Sequence, residues 1–103
     1  ANTFDLLLYV ANWPAARRSA WQSLLPARAV ENQCYVAGVN RVGTDGRGVA
    51  YAGDSGLHDY LGQNLADLGG APGHCTVTLG LDALQRYREK FPAYLDADPF
   101  RLL

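Results

Sequence analysis

Leu6-Leu7-Leu8-Tyr9-Val10-Ala11 is an unbroken apolar run, closed by Asn12-Trp13-Pro14. A strand with one wet face alternates apolar and polar residues, whereas one covered on both faces reads as a continuous apolar stretch. The run is therefore expected to be a central strand of a largely parallel sheet. A central strand needs neighbours on both sides. Little precedes the run, and few of the later segments look able to supply both neighbours. The chain thus reads as the back half of something larger, whose other half would hold the chemistry.

Composition narrows the class. Hydrophobic residues make up 49% and charged residues 18% of 103 positions, the balance of an ordinary globular chain. A single domain of this size buries roughly two thirds of its unfolded surface. Nine basic and ten acidic residues leave a net charge of −1 with no run of either sign. That argues against a nucleic-acid binder, which needs a basic face. No segment approaches the roughly 18 apolar residues that span a bilayer, and no signal peptide is recognisable, so a cytoplasmic setting is expected. Cys34 and Cys75 each begin an apolar run and are expected to be inert core thiols. Neither His58 nor His74 is spaced with cysteines or carboxylates as a zinc site requires, and no metal or cofactor is expected.

Along the chain, Asn12 is a suitable helix N-cap and Pro14 suits the first turn. Trp21, Leu24, Leu25, Arg28, Ala29 and Asn32 recur at helical spacing. Pro26 is expected to kink this helix or start a second one. Residues 34–42 and 48–55 read as a hairpin turning at Asp45-Gly46. Strands are expected over 56–60, 64–68 and 74–80, with a glycine-rich loop over 69–73. Asp82, with Gln85 three residues on, resembles a capping box opening a last helix, which carries Leu84, Tyr87 and Phe91 and ends at Pro92. The tail to Leu103 is too apolar for a free end and is expected to dock.

Three motifs suggest chemistry and are better read otherwise. Gly53-Asp54-Ser55-Gly56 matches the nucleophile signature of trypsin-like proteases. In that fold the histidine and aspartate precede the serine, whereas His58 and His74 follow it. Cys34 lies after a helix end, where the dipole disfavours a thiolate. Arg28 and Glu31, three apart, can pair on a helix. Arg28 shares the stripe of Trp21 and Leu25, so a partly buried structural cluster is expected there.

The blocks Leu7-Leu8-Tyr9-Val10-Ala11-Asn12-Trp13-Pro14, Ala27-Arg28-Ala29-Val30-Glu31-Asn32-Gln33-Cys34-Tyr35-Val36-Ala37-Gly38-Val39-Asn40-Arg41-Val42-Gly43 and Tyr51-Ala52-Gly53-Asp54-Ser55, with Trp21 between the first two, resemble the C-terminal portion of the nitrilase (carbon–nitrogen hydrolase) superfamily. The omega-amidase branch is the nearest in pattern, and Tyr87-Arg88-Glu89-Lys90-Phe91-Pro92-Ala93 is similar to it too. The resemblance implies an α/β fold in which residues 1–103 form the C-terminal segment of one nitrilase-like α-β-β-α sandwich domain, and a homodimer in which the sandwiches stack. It also implies amide hydrolysis by a cysteine nucleophile, a glutamate base and a lysine oxyanion donor. For this branch the substrates are small amides of short dicarboxylates, such as 2-oxoglutaramate.

None of those three catalytic residues matches a position here; the family's set lies upstream, in the N-terminal remainder. Cys34-Tyr35 lacks the Asp-x-Arg that follows the nucleophile. The resemblance assigns scaffold and pocket wall to this chain, with Asn12 and Trp13 as candidate substrate-binding residues at the end of the first strand. Trp13 reads equally well as a core anchor. Arg28, Glu31 and Asn40 match structural positions. Pro26 and Asp59-Tyr60-Leu61-Gly62 depart from the family pattern. The competing expectation is a non-catalytic interaction module that keeps the scaffold alone.

Overall fold

The computed structural model describes residues 3–103. Strand β1 (Leu6–Ala11) leads through a 3₁₀ turn (Ala15–Arg17) into helix α1 (Arg18–Asn32), which returns to β2 (Tyr35–Asn40). β2 lies parallel to β1, with Leu6 opposite Tyr35 and Ala11 opposite Asn40. A parallel pair needs such a crossover. A separate hairpin of β3 (Val42–Thr44) and β4 (Ala50–Ala52) comes next, then β5 (Gly56–His58) and β6 (Asn64–Asp67). The main sheet has the order β1-β2-β5-β6, its last two pairings antiparallel.

α1 covers one face of this sheet. Trp21, Leu25 and Ala29, each four residues apart, form its buried stripe and pack with Cys34, Val36, Leu7, Tyr9, Ala11 and Trp13. The helix can come this close because β2 offers a glycine beneath it. A Cβ on Gly38 would stand 2.5 Å from Leu25 Cδ1 and 2.8 Å from Trp21 Cζ2. The stripe is narrower than its spacing suggests, since Leu24 is exposed and Arg28 only half-buried. Arg28 and Glu31 do pair, but at the surface, with 42% and 54% of their side chains exposed.

The opposite face is open over β1 and the end of β2, although Tyr35 at the start of β2 is buried on it. Leu8 is 61% and Val10 84% exposed, and Leu6 and Val39 are exposed beside them. β1 is an edge strand in this chain, contrary to its reading as a central one, because no described segment pairs with its free side. Its continuous apolar sequence is thus unmet on the outer edge and on one face.

α2 (Leu81–Lys90) is fastened to the end of the sheet by aromatic contacts and one arginine. Tyr87 stacks on Tyr60 with ring centroids 4.7 Å apart, and Tyr60 meets Tyr35 edge-on. The Tyr35 hydroxyl donates to the Gly80 carbonyl. Arg88 donates to the Gln33 carbonyl and pairs with Asp5 at 2.6 Å.

Several local signals yield to tertiary structure. α1 runs unbroken through Pro26. The Gln22 carbonyl, which loses its helical donor there, belongs to an exposed residue that water can reach. Asn12 does not cap the helix: the chain enters through Pro14 and the 3₁₀ turn, and no side chain caps either segment. Asp82 lies inside the first turn of α2, whose N-cap is Gly80, so the capping box is not formed. The strand expected over 34–42 breaks at Arg41, where the chain leaves the main sheet for the hairpin. Residues 74–80 form no strand and pair with neither free edge of the main sheet, β1 or β6. Cys75 within them is exposed rather than a core thiol, while Cys34 is fully buried. The tail does not dock on this chain; Phe100, Leu102 and Leu103 are all exposed.

Candidate functional site at the carboxyl end of β1

In sheets containing parallel strands, ligands favour the strands' carboxyl ends. Here that end is occupied by Asn12, Trp13, Asn40 and the Gly53–Ser55 loop. Asn12 is exposed and Trp13 half-buried. The Trp13 ring sits 5.9 Å from that of Trp21, with the Arg17 guanidinium 5.7 Å from its centroid. Its indole N–H donates to the Arg17 carbonyl at 2.6 Å. The ring therefore packs against the helix–sheet core and also forms part of the surface beside Asn12.

Asn40, the last residue of β2, is buried and organises this end. Its Oδ1 accepts the Trp13 backbone N–H at 2.7 Å, and its Nδ2 donates to the Trp13 carbonyl at 3.1 Å and the Gly53 carbonyl at 2.9 Å. Its own N–H donates to Ser55 Oγ at 2.9 Å, and the Ser55 hydroxyl donates back to the Asn40 carbonyl. Asp54, held at φ 57° in the left-handed region, turns its carboxylate onto Arg18 and its carbonyl onto the Trp21 indole N–H. The Tyr51-Ala52-Gly53-Asp54-Ser55 block is thus a clasp joining the end of β1, the start of α1 and the end of β2.

The remaining candidates separate cleanly. The Ser55 hydroxyl is committed to Asn40, and among the described residues it bonds to neither histidine. Its partner lies fifteen residues away in the chain, so the bond is long-range. Burial pushes the Cys34 thiol up, only partly offset by Arg88, which suits a core residue and not a nucleophile. Among the described residues no His/Cys/Asp/Glu group is arranged to hold a metal ion. Sequence reasoning places Asn40 among structural positions and misses its reach to Trp13; a lone polar residue closing an apolar strand is the signal that could have found it.

His58, on β5, is buried and its Nδ1 has no hydrogen-bond partner. Burial lowers its pKa, opposed in part by Asp67 and Asp59. A histidine held neutral in the fold but free to charge when unfolded favours the native state above its unfolded pKa of about 6.5. That contribution is lost as pH falls from there towards the lower folded value. Thermal unfolding followed from about pH 7.5 to 5.5 is expected to show this loss, and His58→Asn to flatten it. An identical pH profile for both proteins would refute the assignment.

Comparison with known proteins agrees with this architecture. The sequence profile of the carbon-nitrogen hydrolase family matches residues 2–89. The omega-amidase YafV of Escherichia coli strain K12 is 54% identical over 98% of this chain. The 2-oxoglutaramate amidase of Bacillus subtilis strain 168 is 37% identical over 89% of it. A carbon–nitrogen hydrolase superfamily protein from Xanthomonas campestris, XC1258, solved with an arsenic adduct in its active site, superposes with a TM-score of 0.93 at 52% identity over 97% of the chain. The chain spans 40% of the length of the Escherichia coli protein, 35% of the Bacillus subtilis one and 38% of the solved Xanthomonas chain. With a crossover helix seated over a glycine in β2, a clasp at the carboxyl end of β1 and a profile match over most of its length, this chain belongs to the carbon–nitrogen hydrolase family.

Proposed function

We propose that residues 1–103 are the C-terminal segment of an omega-amidase-like carbon–nitrogen hydrolase. The complete enzyme releases ammonia from amides of short dicarboxylates, 2-oxoglutaramate among them. The observation that carries this reading is the 54% identity to an omega-amidase across nearly the whole chain. A cysteine–glutamate–lysine set supplied by polypeptide outside these residues performs the chemistry, and no cofactor takes part. The thiolate attacks the amide carbon, lysine steadies the oxyanion, ammonia leaves, and water activated by glutamate frees the acid.

This segment contributes one sheet, its covering helix, and Asn12 and Trp13 as pocket wall. The bare apolar face bearing Leu6, Leu8, Val10 and Val39 receives the second sheet of the sandwich. The apolar tail reaches a second subunit of a homodimer. We place the enzyme in the cytoplasm; no helix among the described residues is long and apolar enough to cross a membrane.

The edge position of β1 favours a second reading, a stand-alone interaction module. Weighing against it, a chain evolved to stand alone would shield the leucines that lie open here. Ammonia release separates the two. The complete protein is expected to turn over 2-oxoglutaramate, and residues 1–103 alone to release nothing above background. Turnover by the 103-residue chain would overturn the placement of the nucleophile.

A further inference from the structure

We propose that Asn40 is a positioning residue for the amide site, acting through Trp13. The inference rests on the reading of Asn12 and Trp13 as pocket wall. A carboxamide presents an acceptor and a donor side by side. Here the acceptor takes the Trp13 N–H and the donor takes the carbonyl of the same residue, at 2.7 and 3.1 Å. Holding both backbone groups of one residue fixes the two peptide planes that flank its Cα. Those planes set the direction of the Cα–Cβ bond. The far end of the side chain is pinned independently, by the indole N–H on the Arg17 carbonyl.

Asn40 is itself immobilised. Its second amide hydrogen is spent on the Gly53 carbonyl, and its backbone exchanges two hydrogen bonds with Ser55. A tie needed only for stability could hold any part of the loop. This one is concentrated on the single residue whose ring lies between the core and the proposed pocket. A displaced wall loses contact with the substrate it lines, which weakens binding.

Asn40→Asp keeps the shape but turns an acceptor onto the Trp13 and Gly53 carbonyls. In the complete protein, acting on 2-oxoglutaramate, it is expected to raise KM about tenfold or more while kcat stays within about threefold. Asn40→Ser withdraws the carboxamide, acceptor and donors together, without adding that repulsion. It is expected to move KM in the same direction, and it stands in if the aspartate variant fails to fold. The decisive arm is a double-mutant cycle with Trp13→Ala. Once the indole is gone, Asn40→Asp is expected to add less than about twofold to KM. Additive effects on KM, or a lowered melting temperature with KM unmoved, would overturn the proposal. If Trp13→Ala alone leaves KM unchanged, the pocket-wall reading has failed, and that outcome is distinguishable from failure of the clamp.

Discussion

Trp21→Ala is expected to remove about 3–5 kcal/mol of stability through lost burial and the cavity left behind. The indole is 5% exposed, at the centre of the helix–sheet contact and over the space kept open by Gly38. It also donates to the Asp54 carbonyl at 2.8 Å, which together with the Arg18–Asp54 pair keeps the clasp against α1. Leaving that carbonyl without its donor costs about 1–3 kcal/mol where water cannot replace it. Against a typical total of about 5–15 kcal/mol, the loss brings the fold close to unfolding at physiological temperature. Urea titration should show a lower midpoint at unchanged slope. Trp21→Phe isolates the second effect, because it keeps most of the apolar area and loses only the donor. A loss below about 1 kcal/mol for Trp21→Ala would mean that α1 is not held to the sheet by this residue.

Legibility in the sequence tracks which interactions are local. The crossover from β1 through α1 to β2 is written in a continuous apolar run and then residues at helical spacing, and both survive in the structure. The Asp45-Gly46 signal does mark a hairpin turn. The Asp45 carboxylate accepts the N–H groups of Arg47 and Val49 and the Tyr51 hydroxyl, which together lower its pKa, the Val49 bond foremost. Where the sequence misleads, the deciding partner lies far off in the chain or outside it. Residues 74–80 carry strand-like residues, but a strand exists only beside another. Pro26 would end an isolated helix, yet Leu25 and Ala29 on either side of it are anchored in the core. Asp82 and Gln85 have the spacing of a capping box, but the chain enters α2 through Gly80, which also receives the Tyr35 hydroxyl.

The candidate site shows the same division. Asn12 and Trp13 are legible as residues at a strand end. Asn40 is twenty-seven residues from Trp13, and no periodicity or motif spacing joins them. Ser55 lies within a protease-like signature that draws attention to its nucleophilicity. Its hydroxyl instead exchanges two hydrogen bonds with the Asn40 backbone.

Val10→Asp separates the two readings of the bare sheet face most sharply. Within residues 1–103 this side chain is 84% exposed, beside an open Val39 that pairs with it in register. Substitution at such a surface position typically changes stability by no more than about 0.5 kcal/mol. If a second sheet packs against that face, the same carboxylate is forced between two apolar layers. Unpaired buried charge is strongly destabilising, and removing one partner of a buried pair alone costs about 3–5 kcal/mol. For a protein of roughly 250 residues that corresponds to a fall of about 6 °C or more in melting temperature, with ammonia release lost as the fold opens. The complete protein is therefore expected to be crippled by Val10→Asp, and by Leu8→Asp on the same face, while Val10→Leu is tolerated. Wild-type stability and activity in both acidic variants would show that nothing covers this face, and the sandwich would have to be abandoned in favour of a free-standing module.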